Sequence, residues 1–178
     1  MNTFKRKSLH AAVLAGLGAI GAAGTASAVH LNPDETGQVL LFPYYTVRSD
    51  GGAPASAPQY YDNLISIVNS TSSTKAVKVR ILEGKRSTEV LDFNLFLSPF
   101  DVWTGAIVRT GAGTSDTALE GAKLISSDNS CVVPTTLFTN PGSSSPPQNQ
   151  FKNFVYAPSN DGGGTTLDRT REGYIEII

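Results

Sequence analysis

Carboxylates come first among the residues that could do chemistry, because two of them can hydrolyse a glycoside without histidine. Asp92 and Asp101 flank the Ser98-Pro99 turn, and Glu83 and Glu89 flank the turn before it. Either pair could meet across a hairpin. Yet Asp92 falls on the polar side of an alternating segment, and Glu83 and Glu89 lie near Lys85 and Arg86. Solvated charge and protection of a strand edge account for all four. The segment Asn32-Pro33-Asp34-Glu35-Thr36-Gly37 offers oxygen ligands, but Pro43 stands where a calcium loop needs its bidentate acid. Asp161 and Asp168 could join another calcium site, but nothing fixes their geometry. Turn-forming backbone chemistry explains the Asn/Asp/Gly cluster better, and no metal or cofactor is expected.

Nucleophilic schemes have still less material. The chain holds two histidines and one cysteine. His10 lies in a segment that is expected to be removed, and His30 would then stand second from a fraying N-terminus. A Ser-His-Asp or Cys-His apparatus needs an imidazole held in a packed site. The sequence carries no Walker loop, nucleophile elbow or Rossmann glycine pattern, and Gly111-Ala112-Gly113 leads into polar residues rather than a helix. An enzyme is therefore not expected. Asn69-Ser70-Thr71 matches a glycosylation sequon, which is a common chance triplet.

Aromatic residues point to binding instead. Tyr44 and Tyr45, with Tyr60 and Tyr61, flank a Gly/Pro/Ala-rich loop, and Trp103 alternates against an apolar row. Flat exposed rings stack well on sugars. Adjacent strand residues point to opposite faces, so one Tyr of each pair should instead enter the core, and Trp103 could fill the centre of the fold.

These residues follow an export signal. Lys5, Arg6 and Lys7 precede an apolar run at 9–20, and Ala26-Ser27-Ala28 supplies a small-residue cleavage site. The run is Gly-rich and shorter than the about 20 apolar residues that span a bilayer. The expectation is a cleaved signal peptide at 1–28 and one domain at 29–178, with no transmembrane segment. Its destination would be the periplasm, the cell surface or the medium. Cleavage removes three of 14 basic residues, leaving 11 against 15 acids and a net charge of −4. That balance argues against a nucleic-acid partner.

The mature chain reads as short strands. Val77, Val79 and Ile81 alternate with Lys78 and Arg80, and Leu91, Phe93, Leu95 and Leu97 alternate with Asp92 and Asn94. Val102, Thr104, Ala106 and Val108 form a third row opposite Asp101, Trp103 and Arg109, which together predict a three-stranded meander at 76–109. Pro43 marks 39–47 as an edge strand or a bulge. The apolar run 64–68 reads as a central buried strand. Shorter candidates lie at 124–125, 132–133, 151–156 and 174–178, and no segment shows a helical stripe. Loops are expected at 49–58, 110–117, 140–150 and 159–166. The fold class is all-β, an antiparallel immunoglobulin-like β-sandwich, with a barrel as the alternative.

Three segments carry a resemblance: Val29-His30-Leu31-Asn32-Pro33, the run GQVLLFPYY at 37–45, and EVLDFNLFLSPFDVW at 89–103. By these the chain resembles a group of uncharacterised secreted β-rich proteins of Gram-negative bacteria. The resemblance implies export and a β-rich fold but supplies no reaction, ligand or catalytic residue. Members of the group continue beyond the segment matching REGYIEII at 171–178.

The residues add to the expectation of a C-terminal truncation. The chain ends within an apolar alternation, where an uncovered sheet edge would follow. Cys131 is left over in a chain bound for an oxidising compartment, which points to a disulfide with a missing partner or with a second chain. The expected role is a secreted or cell-surface structural or interaction protein, self-associating or held by a surface protein partner. A carbohydrate-binding module with a glycan ligand is the alternative. Intact-mass analysis of the exported protein should show a chain starting at Val29. A retained Met1 would overturn the signal-peptide assignment.

Overall fold

The computed structural model describes residues 37, 39–49, 59–111, 120–142, 145–152 and 164–178. The segment 1–28 expected to be an export signal, His30, Asp161 and the oxygen-rich turn as far as Thr36 lie outside these residues, as do 153–156 and most of the loops expected at 49–58, 110–117 and 159–166.

Alternating burial builds nine strands among the described residues. They are β1 (Leu40–Thr46), β2 (Asn63–Val68), β3 (Lys75–Glu83), β4 (Glu89–Leu97), β5 (Val102–Arg109), β6 (Ala122–Ile125), β7 (Cys131–Val133), β8 (Gln148–Gln150) and β9 (Glu172–Ile177). A short 3-10 helix, Leu167–Arg171, leads into β9. The strands form a five-stranded sheet ordered β1-β9-β3-β4-β7 and a four-stranded sheet ordered β2-β5-β6-β8. All pairings between them are antiparallel. The inner faces of both sheets contribute to one apolar cluster, which makes the fold an all-β sandwich, as the alternation predicts. Among the described residues, no helix is long and apolar enough to cross a membrane.

The hairpin β3–β4 follows the sequence reading. Val79, Ile81, Leu91, Phe93, Leu95 and Leu97 are buried, while Lys78 and Arg80 face outward. Pro43 acts as expected: β1 is a sheet edge and its register with β9 shifts between Phe42 and Tyr45.

Four expectations need correction, besides the loop at 140–150, whose last three residues form β8 against β6. The third strand does not complete a meander, because β5 leaves for the other sheet and pairs with β2 and β6. The crossing is made by the Ser98–Asp101 turn. Phe100 takes a left-handed φ of 56° there, and the Asp101 carboxylate accepts the N–H groups of Ser98 and Val102.

The facing of β5 is also inverted. Trp103 and Ile107 point into the core, and Val102 and Thr104 point out. Gly105 makes this possible: a Cβ there would come within 2.6 Å of the Trp103 ring. A large ring beside an empty position fills the core better than the row of smaller side chains.

Thirdly, β2 is an edge strand rather than a central one, with Leu64 85% exposed. Finally, β9 leaves no uncovered edge, since it lies between β1 and β3 and Ile178 exchanges both backbone hydrogen bonds with Lys78.

Trp103 packs against Phe93 of the opposite sheet at 6.0 Å between ring centroids. Truncating Trp103→Ala should therefore cost about 3–5 kcal/mol. Urea denaturation checks this, and an unchanged midpoint would place the ring outside the core.

Candidate functional site

Charge is distributed unequally between the two outer surfaces. On the five-stranded sheet, register brings Glu176, Arg80 and Asp92 into one row and Lys78 and Asn94 into the next. Arg80 pairs with Glu89 and Glu176 at 2.9 Å each, and Lys78 pairs with Asp92. The polar placement of Asp92 fits this lattice, whereas the edge-protecting role expected of Glu89 is corrected: β4 lies between β3 and β7, and the Glu89 carboxylate pairs with Arg80 of the neighbouring strand. Asp101 serves the turn described above, so Asp92 and Asp101 do not form a catalytic pair.

The outer surface of the four-stranded sheet is built differently. Cross-strand register aligns Leu64 with Ala106, Ile125 and Gln148, then Ser66 with Thr104, then Val68 with Val102. None of these residues is charged. A shallow depression of about 250 Å³ crosses them, lined by Leu64, Thr104, Gly105, Ala106, Ile125, Ser126, Ser127 and Pro146. The row Val102–Thr104–Ala106–Val108 was legible in the sequence, but as a core face. Its surface placement was missed because alternation reports two faces without saying which one is inside.

A second depression, of about 530 Å³, lies where the 69–74, 98–101 and 129–131 segments meet. Phe96, Phe100 and Cys131 line it, and Phe96 stands opposite Cys131 in the β4–β7 pairing. Phe96 had a signal in the sequence: it is an apolar residue on the polar side of its strand. Cys131 is an exposed, free thiol.

The aromatic candidates separate as strand geometry demands. Tyr44 and Tyr61 are 62% and 54% exposed, whereas Tyr45 and Trp103 are 1% exposed. Tyr45 meets Phe151 edge-on at 6.0 Å and donates its hydroxyl to the Thr170 carbonyl. Tyr60 is half-buried beneath the Arg109 guanidinium, 3.5 Å from its ring centroid. The proposed stacking role of Tyr45 and Trp103 is therefore corrected, because a core ring presents no face to a ligand. Tyr44 and Tyr61 remain available.

The end of the sandwich beside the 3-10 helix carries the strongest electrostatics. Arg48 pairs with Asp168 at 3.0 Å and with Glu172 at 3.1 Å, and the Tyr44 hydroxyl donates to Glu172. The second correction to the sequence reading is Glu83, which is fully buried rather than solvated. It pairs with the equally buried Arg169 at 2.7 Å and accepts the backbone N–H groups of Lys85, Arg86 and Thr88. Burial pushes the Glu83 carboxyl up, but Arg169 and the three N–H donors outweigh it and hold the group below its ordinary range. The hydrogen bond from Arg48 likewise holds Asp168 down. Both stay ionised at neutral pH, which suits anchoring and is the wrong direction for a general acid. Among the described residues, no group of three or more His, Cys, Asp or Glu is placed to hold a metal.

The sequon asparagine also has a structural task. Asn69 is buried, and its side-chain amide donates to the carbonyls of Ser73 and Ser98 at 2.8 and 2.7 Å. Comparison with family models, curated proteins and solved structures finds no match to this chain. The functional reading therefore rests on the surfaces themselves.

The depressed carboxyls set an acid limb on stability. A folded-state pKa below the unfolded one stabilises above the ordinary carboxylate range and loses that contribution as pH falls through it. Stability should thus decline below roughly pH 4. Glu83→Gln should lower the neutral-pH stability and flatten that decline. Melting temperatures across pH test this, and an acid limb unchanged in the variant would remove Glu83 from the explanation.

Proposed function

We propose that this protein is a secreted or cell-surface structural or interaction protein, an immunoglobulin-like module that acts by binding and not by catalysis. One observation carries the reading. The five-stranded sheet covers its outer surface with an ion-pair lattice, whereas the outer rows of the four-stranded sheet from Leu64 to Gln148 and from Val68 to Val102 hold no charge. Contiguous apolar surface on a soluble domain marks an interaction site, and Ser66 and Thr104 add neutral hydrogen-bonding groups to it. The export signal at 1–28 supports a role outside the inner membrane, and the β-rich secreted group that the chain resembles agrees with it.

A carbohydrate-binding module is the second reading, favoured by one specific observation: Tyr44 and Tyr61 are exposed rings at the same end of the sandwich. Tyr61 donates its N–H to the Arg48 carbonyl, and Tyr44 and Arg48 share Glu172.

The two readings predict opposite mutational patterns. Purified protein should bind back to cells of the producing strain that lack it, with Thr104→Lys weakening retention about tenfold or more by placing a long charged side chain in the contact. Tyr44→Ala and Tyr61→Ala should leave retention intact. Glycan binding abolished by the tyrosine changes and untouched by Thr104→Lys would replace the first reading with the second.

A further inference from the structure

The inference that follows rests on the interaction reading and names its partner. The sheets end in four edge strands: β1, β7, β2 and β8. Three carry devices that discourage pairing. β1 holds Pro43 and a register shift, β7 has three residues, and β8 is covered where Gln148 and Thr139 exchange backbone hydrogen bonds. Among the described edges, β2 alone has none. It runs for six residues in unbroken register with β5, without proline or charge.

The hydrogen-bond phase of β2 fixes what its edge offers. Asn69 donates its N–H to the Asp101 carbonyl. Backbone groups alternate sides along an antiparallel strand, so Ile67, Ile65 and Asn63 also turn theirs towards β5. Leu64, Ser66 and Val68 therefore aim their N–H and C=O groups outward, and their side chains lie on the uncharged outer surface.

The sequence of this edge is its own complement. Leu64-Ile65-Ser66-Ile67-Val68 is nearly palindromic about Ser66, with Ile on both sides of it and Leu64 matched by the aliphatic Val68. We propose that β2 pairs antiparallel with β2 of a second copy about a two-fold axis through Ser66, joining two four-stranded sheets into one. Centring on Ser66 makes three hydrogen-bonded positions: Leu64 opposite Val68 of the other copy, Ser66 opposite Ser66, and Val68 opposite Leu64. Ile65 stands opposite Ile67 on the inner side, which extends the core across the junction. No like charges meet, and every apolar side chain faces another. A chance foreign strand has no reason to match this pattern, whereas a second copy matches it by symmetry.

Charge placed at the paired positions tests the register. Leu64 and Val68 are 85% and 58% exposed, so changing them leaves the core intact. Sedimentation velocity over a dilution series from about 1 µM to about 1 mM should show a dimer for the unmodified chain. The double change Leu64→Lys with Val68→Lys sets lysine against lysine and should weaken it at least about tenfold. Leu64→Lys with Val68→Glu sets lysine against glutamate in both symmetric positions and should restore it. The second double variant loses the same apolar groups, so it controls for folding. Ser66→Cys should give, under oxidation, a disulfide joining position 66 to position 66, identified by peptide mapping.

Equal association of the two double variants would overturn the β2 register, while association itself would keep the interaction reading. An unmodified chain that stays monomeric throughout would overturn the dimer. The interaction reading would then stand or fall on the Thr104→Lys retention experiment alone.

Discussion

Burying a carboxylate demands compensation from every direction, and Glu83 receives it from four sides. Arg169 supplies the opposing charge, and the N–H groups of Lys85, Arg86 and Thr88 supply the remaining donors. This one pair links the β3–β4 hairpin to the 3-10 helix across 86 residues of sequence. The same helix reaches the other sheet, because the Thr170 hydroxyl accepts the Ala122 N–H at 2.9 Å. It reaches β1 as well, through Tyr45 to the Thr170 carbonyl and Arg48 to Asp168. A five-residue helix thus ties both sheets together at one end. It can do so because its buried polar groups are bonded in several directions at once.

The opposite end is closed by a neutral counterpart. Asn69 holds the β2–β3 connection against the carbonyls of Ser73 and Ser98, and its own oxygen accepts from Thr71. The β4–β5 turn is thereby fixed where the chain passes between sheets. With both ends tied, the core between them can be filled by aromatic and branched side chains, of which Trp103 over Gly105 is the least replaceable.

Ionic pairs at one end and on one outer surface leave the other outer surface with uncharged rows at Leu64–Gln148, Ser66–Thr104 and Val68–Val102, bounded by Lys123 and by the Asp128 carboxylate that accepts the Thr104 N–H. The charged groups of Arg80, Glu89, Glu176, Lys78 and Asp92 make the outer surface of the five-stranded sheet costly to desolvate. Thr104, Ser66 and their apolar neighbours present no such barrier. Function is therefore sought on the four-stranded sheet and its β2 edge, where desolvation is cheap.

Alternation along the chain determined the β class, the hairpin β3–β4 with its inward Phe93, and the edge character of β1 at Pro43. It also determined that Tyr44 and Tyr45 divide between surface and core. These are local matters, set by a two-residue period and by a missing N–H. Tertiary structure alone decided which side of β5 faces inward, because Trp103 and Val102 are both apolar and only the space above Gly105 chooses between them. It alone decided that β2 is an edge, since a strand that reads as apolar on both sides pairs with whatever the topology leaves beside it. Glu83 is the clearest case. Beside Lys85 and Arg86 it reads as solvated charge, and only the return of Arg169 from far along the chain makes its burial tolerable.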